Sequence, residues 1–133
     1  MEHLLGAIYN YLKEGDFATL ITVDTVVQLY NTEAPEETVC PYAVYQIVTS
    51  IPEWTFTENS ENCLIQFNLC SDGDTCEEVC DMEAALRNAL EFHDLTITGA
   101  ETISLVRVAS LLSHNDGIWQ INMTFRIVFE LGE

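Results

Sequence analysis

The sequence predicts an α+β fold: one domain over residues 1–133, a mostly antiparallel twisted sheet with helices packed on one face. Three observations carry that expectation. The closing segment alternates strictly, with Trp119, Ile121, Met123, Phe125, Ile127 and Phe129 on one side and Gln120, Asn122, Thr124 and Arg126 on the other. Such a period of two is that of a strand buried on one face. Helical and strand-like segments follow the order helix, strands, helix, strands, which favours segregated layers over a parallel sheet. Finally, 133 residues of which 48% are hydrophobic suffice for one sizeable core.

The elements can be placed in order. Leu4, Leu5, Ile8, Tyr11 and Leu12 recur at helical spacing within 1–14, and Gly15 ends that helix. Asp16 caps a second short turn in which Phe17, Leu20 and Ile21 share a face. Val26–Tyr30 reads as a short strand, followed by a polar loop over 31–38 containing Pro35. The run PYAVYQIVTSI, 41–51, reads as a strand opened by a proline and, being apolar on both faces, as one covered on both sides. Residues 53–62 read as a turn region, and 62–70 as a strand with Cys63, Ile65, Phe67 and Leu69 on one face. The main helix is expected from Thr75 to about His93. Two final strands, 103–112 and 118–129, are joined by the hairpin signal SHNDG.

Charge excludes one large class of function. Twenty-two acids face only Lys13, Arg87, Arg107 and Arg126, a formal net charge of −18. A surface of that sign repels phosphate backbones, so tight nucleic-acid binding is not expected. No run approaches the ~20 apolar residues of a membrane span. Glu2 and the absence of a basic leading segment give no secretory signal, so the five cysteines are expected as reduced thiols in a cytosolic compartment.

The densest constellation is Leu69-Cys-Ser-Asp-Gly-Asp-Thr-Cys-Glu-Glu-Val-Cys80. Its spacing, C-x6-C-x5-C-x3-C from Cys63, lacks the short knuckle of a structural zinc site, and Cys63 and Cys70 point to opposite faces of one strand. There is neither a C-x-x-C redox pair nor an alternating calcium loop. Asp74 and Thr75 stand three residues before Glu77 and Glu78, the spacing of a capping box, so the stretch reads as a strand end meeting a helix start. Ser113-His114-Asn115-Asp116 has the letters of a triad, yet neighbours in a tight turn cannot align nucleophile, base and acid. No phosphate loop, nucleophile elbow or metalloprotease motif is present. We therefore expect no catalytic, cofactor-binding or metal-binding residues and no enzyme. Tyr42, Tyr45, Trp54 and Phe56 are the candidate interface residues, since aromatics concentrate at protein contacts.

The pattern QLYNTEAPEETVCPYAVYQIV, the alternating strand 63–70 and the helical EAALRNAL resemble the tail terminator or tail completion proteins of tailed bacteriophages. Leu29-Tyr30 before Ala34-Pro35, Pro41-Tyr42 opening the next strand, and Trp119-Gln-Ile-Asn-Met-Thr-Phe-Arg126 carry the resemblance, which spans Leu4 to Glu130. It implies a structural virion protein without catalytic residues: a ring, by family expectation of six copies, that caps the tail tube at its head-proximal end. The implied partners are further copies, the tail tube protein and a neck or head-completion protein, with DNA only passing through the lumen. The implied location is the virion tail or neck, reached through the host cytoplasm. Two other readings stand beside it: an acidic DNA mimic that blocks a host nucleic-acid-binding protein, and a neck or minor tail protein of the same fold.

Overall fold

The computed structural model describes residues 2–13, 15–54, 59–91, 96–97 and 100–131. Helix α1 (Glu2–Leu12) and the short α2 (Asp16–Leu20) lead into a two-stranded ribbon, β1 (Thr22–Val23) and β2 (Val26–Val27). Then come β3 (Leu29–Asn31), β4 (Tyr42–Trp54), β5 (Asn59–Ser71), α3 (Glu77–Leu90), β6 (Thr96–Ile97), β7 (Ala100–Asn115) and β8 (Ile118–Leu131). The main sheet has the order β3-β4-β5-β8-β7-β6, antiparallel throughout except for the parallel pair β3–β4. This is the expected α+β architecture.

The alternation in β8 has the expected consequence. Met123, Phe125 and Ile127 are fully buried, and β5 presents Cys63, Ile65, Phe67 and Leu69 beside them. The helices close over that face with Leu4, Ile8 and Leu12 of α1 and Val79, Met82, Leu86 and Leu90 of α3. Phe67 sits at the centre, stacked on Tyr45 at 6.0 Å and edge-on to Phe125 at 5.7 Å. Both geometries suit the ring quadrupoles.

Several expectations are corrected in detail. The strand read at Val26–Tyr30 is two strands split at Gln28: β2 pairs with β1 across a turn at Asp24 and Thr25, both at positive φ, whereas β3 pairs with β4. Residues 53–54 and 59–62 belong to one long hairpin rather than a turn, with Glu53 opposite Ser60 and Trp54 opposite Asn59. Pro52 lies within β4 opposite Glu61. Helix α3 begins at Glu77, two residues later than its capping-box pattern suggested. Its cap, Cys76, makes no capping side-chain hydrogen bond; Thr75 Oγ1 accepts from the Glu77 N–H at 3.3 Å instead. The helix ends at Leu90, and His93 lies outside the described residues.

The expectation of a strand covered on both sides fails for β4. Ala43 and Tyr45 are buried under the helices, whereas Val44 and Gln46 are half-buried and Val48 is half exposed on a face that no helix covers among the described residues. That open face is organised by amides. Gln46 Nε2 donates to Gln66 Oε1 at 3.1 Å, Gln66 Nε2 to Asn122 Oδ1 at 3.0 Å, and Asn122 Nδ2 to Asn68 Oδ1 at 2.7 Å. Each amide satisfies its neighbour, so three strands share one polar chain without a charge. The β7–β8 turn is Asp116-Gly117, both at positive φ (52° and 78°), the conformation a tight two-residue hairpin needs.

Candidate functional site

The chemistry-bearing side chains fall into separate places. Tyr42, Cys70 and Gln120 form one rung across β4, β5 and β8 on the open face. Tyr42 hydrogen-bonds the Cys70 thiol, and Gln120 Nε2 donates to Cys70 Sγ at 3.7 Å. The bond to Cys70, aided by burial, pushes the Tyr42 phenol up to about 12. Burial, and then the negative charge of Asp72, pushes the Cys40 thiol up to about 11. Burial raises Cys70 too, against the two hydrogen bonds that lower it. A nucleophilic or metal-binding cysteine needs the opposite shift, because the thiolate is the reactive form.

The other cysteines are dispersed. Cys63 is buried on the helix-covered face of β5, while Cys76 and Cys80 lie one helical turn apart at the start of α3, Cys80 exposed. Among the described residues no three of His, Cys, Asp and Glu come together as a metal-binding group. In the triad-like run, His114 stacks on the indole of Trp119 at 4.1 Å across the hairpin. That contact ties the ring to the opposite strand. Ser71 hydrogen-bonds the Glu78 carboxylate and accepts from the Gly73 N–H at 3.2 Å, so the Asp-Gly-Asp turn joins β5 to α3 through local bonds.

The candidate interface residues have different fates. Tyr45 is a core side chain, 3% exposed, with its hydroxyl donating to the Leu5 carbonyl at 3.3 Å. It is positioned to hold α1 on the sheet. Tyr42 is half-buried at the start of β4. The backbone of Trp54 ends β4; its side chain, and the whole of Phe56, lie outside the described residues.

A group of exposed apolar residues lies elsewhere, on the distal part of the β7–β8 hairpin, led by Leu111 at 69%. Val108, Leu111 and Leu112 are exposed, and every residue from 108 to 117 is open to solvent. Register shifts at Thr102/Ser104 and Arg107/Ala109 break the alternation of β7. They were legible only as the irregular run SLVRVASLLS, which keeps no period of two. A cleft of about 490 Å³ between α1, α2 and α3, lined by Tyr11, Phe17 and Asn88 among others, gathers no acid–base pair.

The result is a two-layer α+β domain whose ionisable groups are dispersed among the described residues and whose distal β7–β8 hairpin exposes apolar side chains. The family is specific: the model of the tail completion protein gp17 family matches residues 7–130, and the chain belongs to that family of phage tail structural proteins. Its fold is similar to a chain in the solved virion of a native gene transfer agent particle. The TM-score is 0.78 at 17% identity, covering 96% of this chain and 94% of that one. A second solved chain, which carries no functional description, matches with a TM-score of 0.67 at 10% identity over 99% and 95% of the two chains. No curated protein matches the sequence.

Proposed function

We propose that the chain is a tail terminator: a ring, of six copies, that caps the tail tube at its head-proximal end, stops polymerisation and joins the tail to the neck. The match of the tail completion family over residues 7–130 is the observation that supports it. Its partners are other copies, the tube protein and a neck or head-completion protein, met in the host cytoplasm before incorporation in the virion. The charge of −18 suits a lumen through which DNA slides, since acids facing a phosphate backbone oppose gripping it. Tyr42, Trp54 and Phe56 are proposed contacts in this assembly. No catalytic step is assigned.

Imaging of assembled particles tests the role. The expected result is a closed ring of this chain between tube and neck, with acids on its inner wall, and tubes of uncontrolled length when the gene is deleted. A particle holding one or two copies, or basic residues along the channel, refutes the model. A ring at the neck instead of the tube end favours the neck reading of the same fold. The charge also favours the DNA-mimic reading, which requires a host nucleic-acid-binding protein to be retained by this chain and released by DNA.

A further inference from the structure

The two long edges of the main sheet differ in chemistry, and the topology puts them on opposite sides of the subunit. At one edge β6 covers only Ala100 and Glu101 of β7, so among the described residues no strand lies beside 104–115. Twelve residues of strand make an edge about 40 Å long. Along it Val108, Leu111 and Leu112 are exposed, with Leu111 at 69%. From Ser104 to Phe129 there is a single acid, Asp116, against Arg107 and Arg126. In a chain with 22 acids and four Lys or Arg, no stretch of this length elsewhere holds so few acids.

The opposite edge is formed by β3, by the part of β4 beyond Tyr45 that β3 does not cover, and by the loop that follows β3, 31–41. That loop carries Glu33, Glu36 and Glu37 with no Lys or Arg, and all three carboxylates are exposed beside Val39, itself 61% exposed. It is fixed in place from beneath. The buried Gln28 donates through Nε2 to the carbonyls of Val39 at 2.6 Å and Pro41 at 2.8 Å, and Thr32 N–H donates to the Tyr45 carbonyl at 2.8 Å. Three exposed carboxylates and an exposed valine thus share one anchored loop.

We propose that these two edges bind each other between copies: the β7–β8 hairpin of one subunit docks on the 31–41 loop of the next. The occupant is a second copy because both edges expose apolar side chains and the hairpin edge 104–115 carries no acid to oppose the loop carboxylates, its one arginine, Arg107, being paired with Glu91 at 3.4 Å. β3 has only three residues, so strand-to-strand pairing covers a small part of the hairpin, and side-chain contact with the loop supplies the rest. Two different patches on opposite sides make the contact head-to-tail, the kind that propagates and closes into a ring. The inference rests on the ring reading above and names its interface.

The test uses the full chain at about 0.15 M salt, where long-range repulsion is screened beyond ~8 Å. One variant disables the hairpin (Leu111→Glu with Leu112→Glu) and another disables the loop (Val39→Asp with Glu36→Lys and Glu37→Lys). All these positions are exposed, and unchanged circular dichroism and urea midpoints verify folding. Sedimentation velocity and native mass spectrometry read the assembly. Wild type is expected to associate, and each variant alone to do so about tenfold or more weakly, as for loss of central contacts. Mixed together, the two variants are expected to form one-to-one pairs and nothing larger, because one intact hairpin meets one intact loop. Wild type that stays monomeric to about 1 mM overturns the proposal. So do variants that associate like wild type, or a mixture without pairs. Self-association through another surface refutes this interface while leaving the tail-terminator reading intact; absence of the chain from the particle does the reverse.

Discussion

Replacing Phe125 by Ala tests the packing on which every surface of the molecule depends. The side chain is fully buried in the middle of β8, opposite Ile65 on β5 and Arg107 on β7, and edge-on to Phe67. Transfer of a buried aromatic contributes about 1.5–3 kcal/mol. The edge-to-face partner contributes roughly 0.5–1.5 kcal/mol more. A void between strands pinned by continuous ladders cannot collapse fully, so the total loss is about 3–5 kcal/mol. With a urea slope of about 2 kcal/mol/M, the unfolding midpoint falls by roughly 2 M. That is a large part of the ~5–15 kcal/mol a domain of this kind holds. The control is Thr124→Ala, one residue earlier on the open face, expected to cost less than about 1 kcal/mol. Urea unfolding followed by circular dichroism, on protein verified as monomeric, gives both values. Equal losses at the two positions refute the one-sided packing of β8.

Three further outcomes are expected. Gln28→Ala removes both donors to the Val39 and Pro41 carbonyls, and the domain loses about 1–3 kcal/mol; faster amide exchange confined to 31–41 locates the effect, and an unchanged loop refutes the clamp. Thiol titration of the unreduced protein in denaturant finds five free thiols, while in the folded state Cys63 and Cys70 react last; fewer thiols, or stoichiometric zinc, contradict the reading. Stability falls at alkaline pH. Cys40, raised from 9.0 to about 11, and Tyr42, raised from 10.0 to about 12, hold their protons more tightly folded than unfolded. Their contribution is therefore complete below pH 9 and fades towards pH 12; Cys40→Ser with Tyr42→Phe removes that part of the slope.

The parts of the fold that were legible in the sequence are those in which one face of a regular element is buried. The alternation of β8 and the Cys63–Leu69 face of β5 fixed both register and orientation, because slipping by one residue would turn every apolar side chain outward. The start of α3 was misplaced for a local reason. Two overlapping capping boxes are offered at Asp74 and Thr75, but Glu78, the partner of Thr75, is hydrogen-bonded by Ser71. The β1–β2 ribbon was hidden because its turn residues, Asp24 and Thr25, adopt positive φ without a glycine to announce it. At the candidate interface, composition alone could not separate Tyr45 from Tyr42. They lie three residues apart, but Tyr45 reaches Phe67 and the Leu5 carbonyl while Tyr42 turns to Cys70 on the other face.

The proposed ring of chains that each carry −18 is reconciled with that charge by where the acids are absent. Six of them crowd between Asp72 and Glu83, and three more stand on the 31–41 loop, whereas the 26 residues from Ser104 to Phe129 hold one. A chain that was uniformly acidic would repel DNA and its own copies equally. The neutral, apolar surface of that hairpin leaves a place where contact is not opposed, while the acid-rich parts keep their repulsion from phosphate. Hydrophobic gain there needs to exceed only the residual repulsion across a Debye length, not the whole charge product. The amide chain on the open face follows the same logic. It is polar enough to stay wet between encounters, yet offers no fixed charge to a phosphate or to a neighbouring subunit.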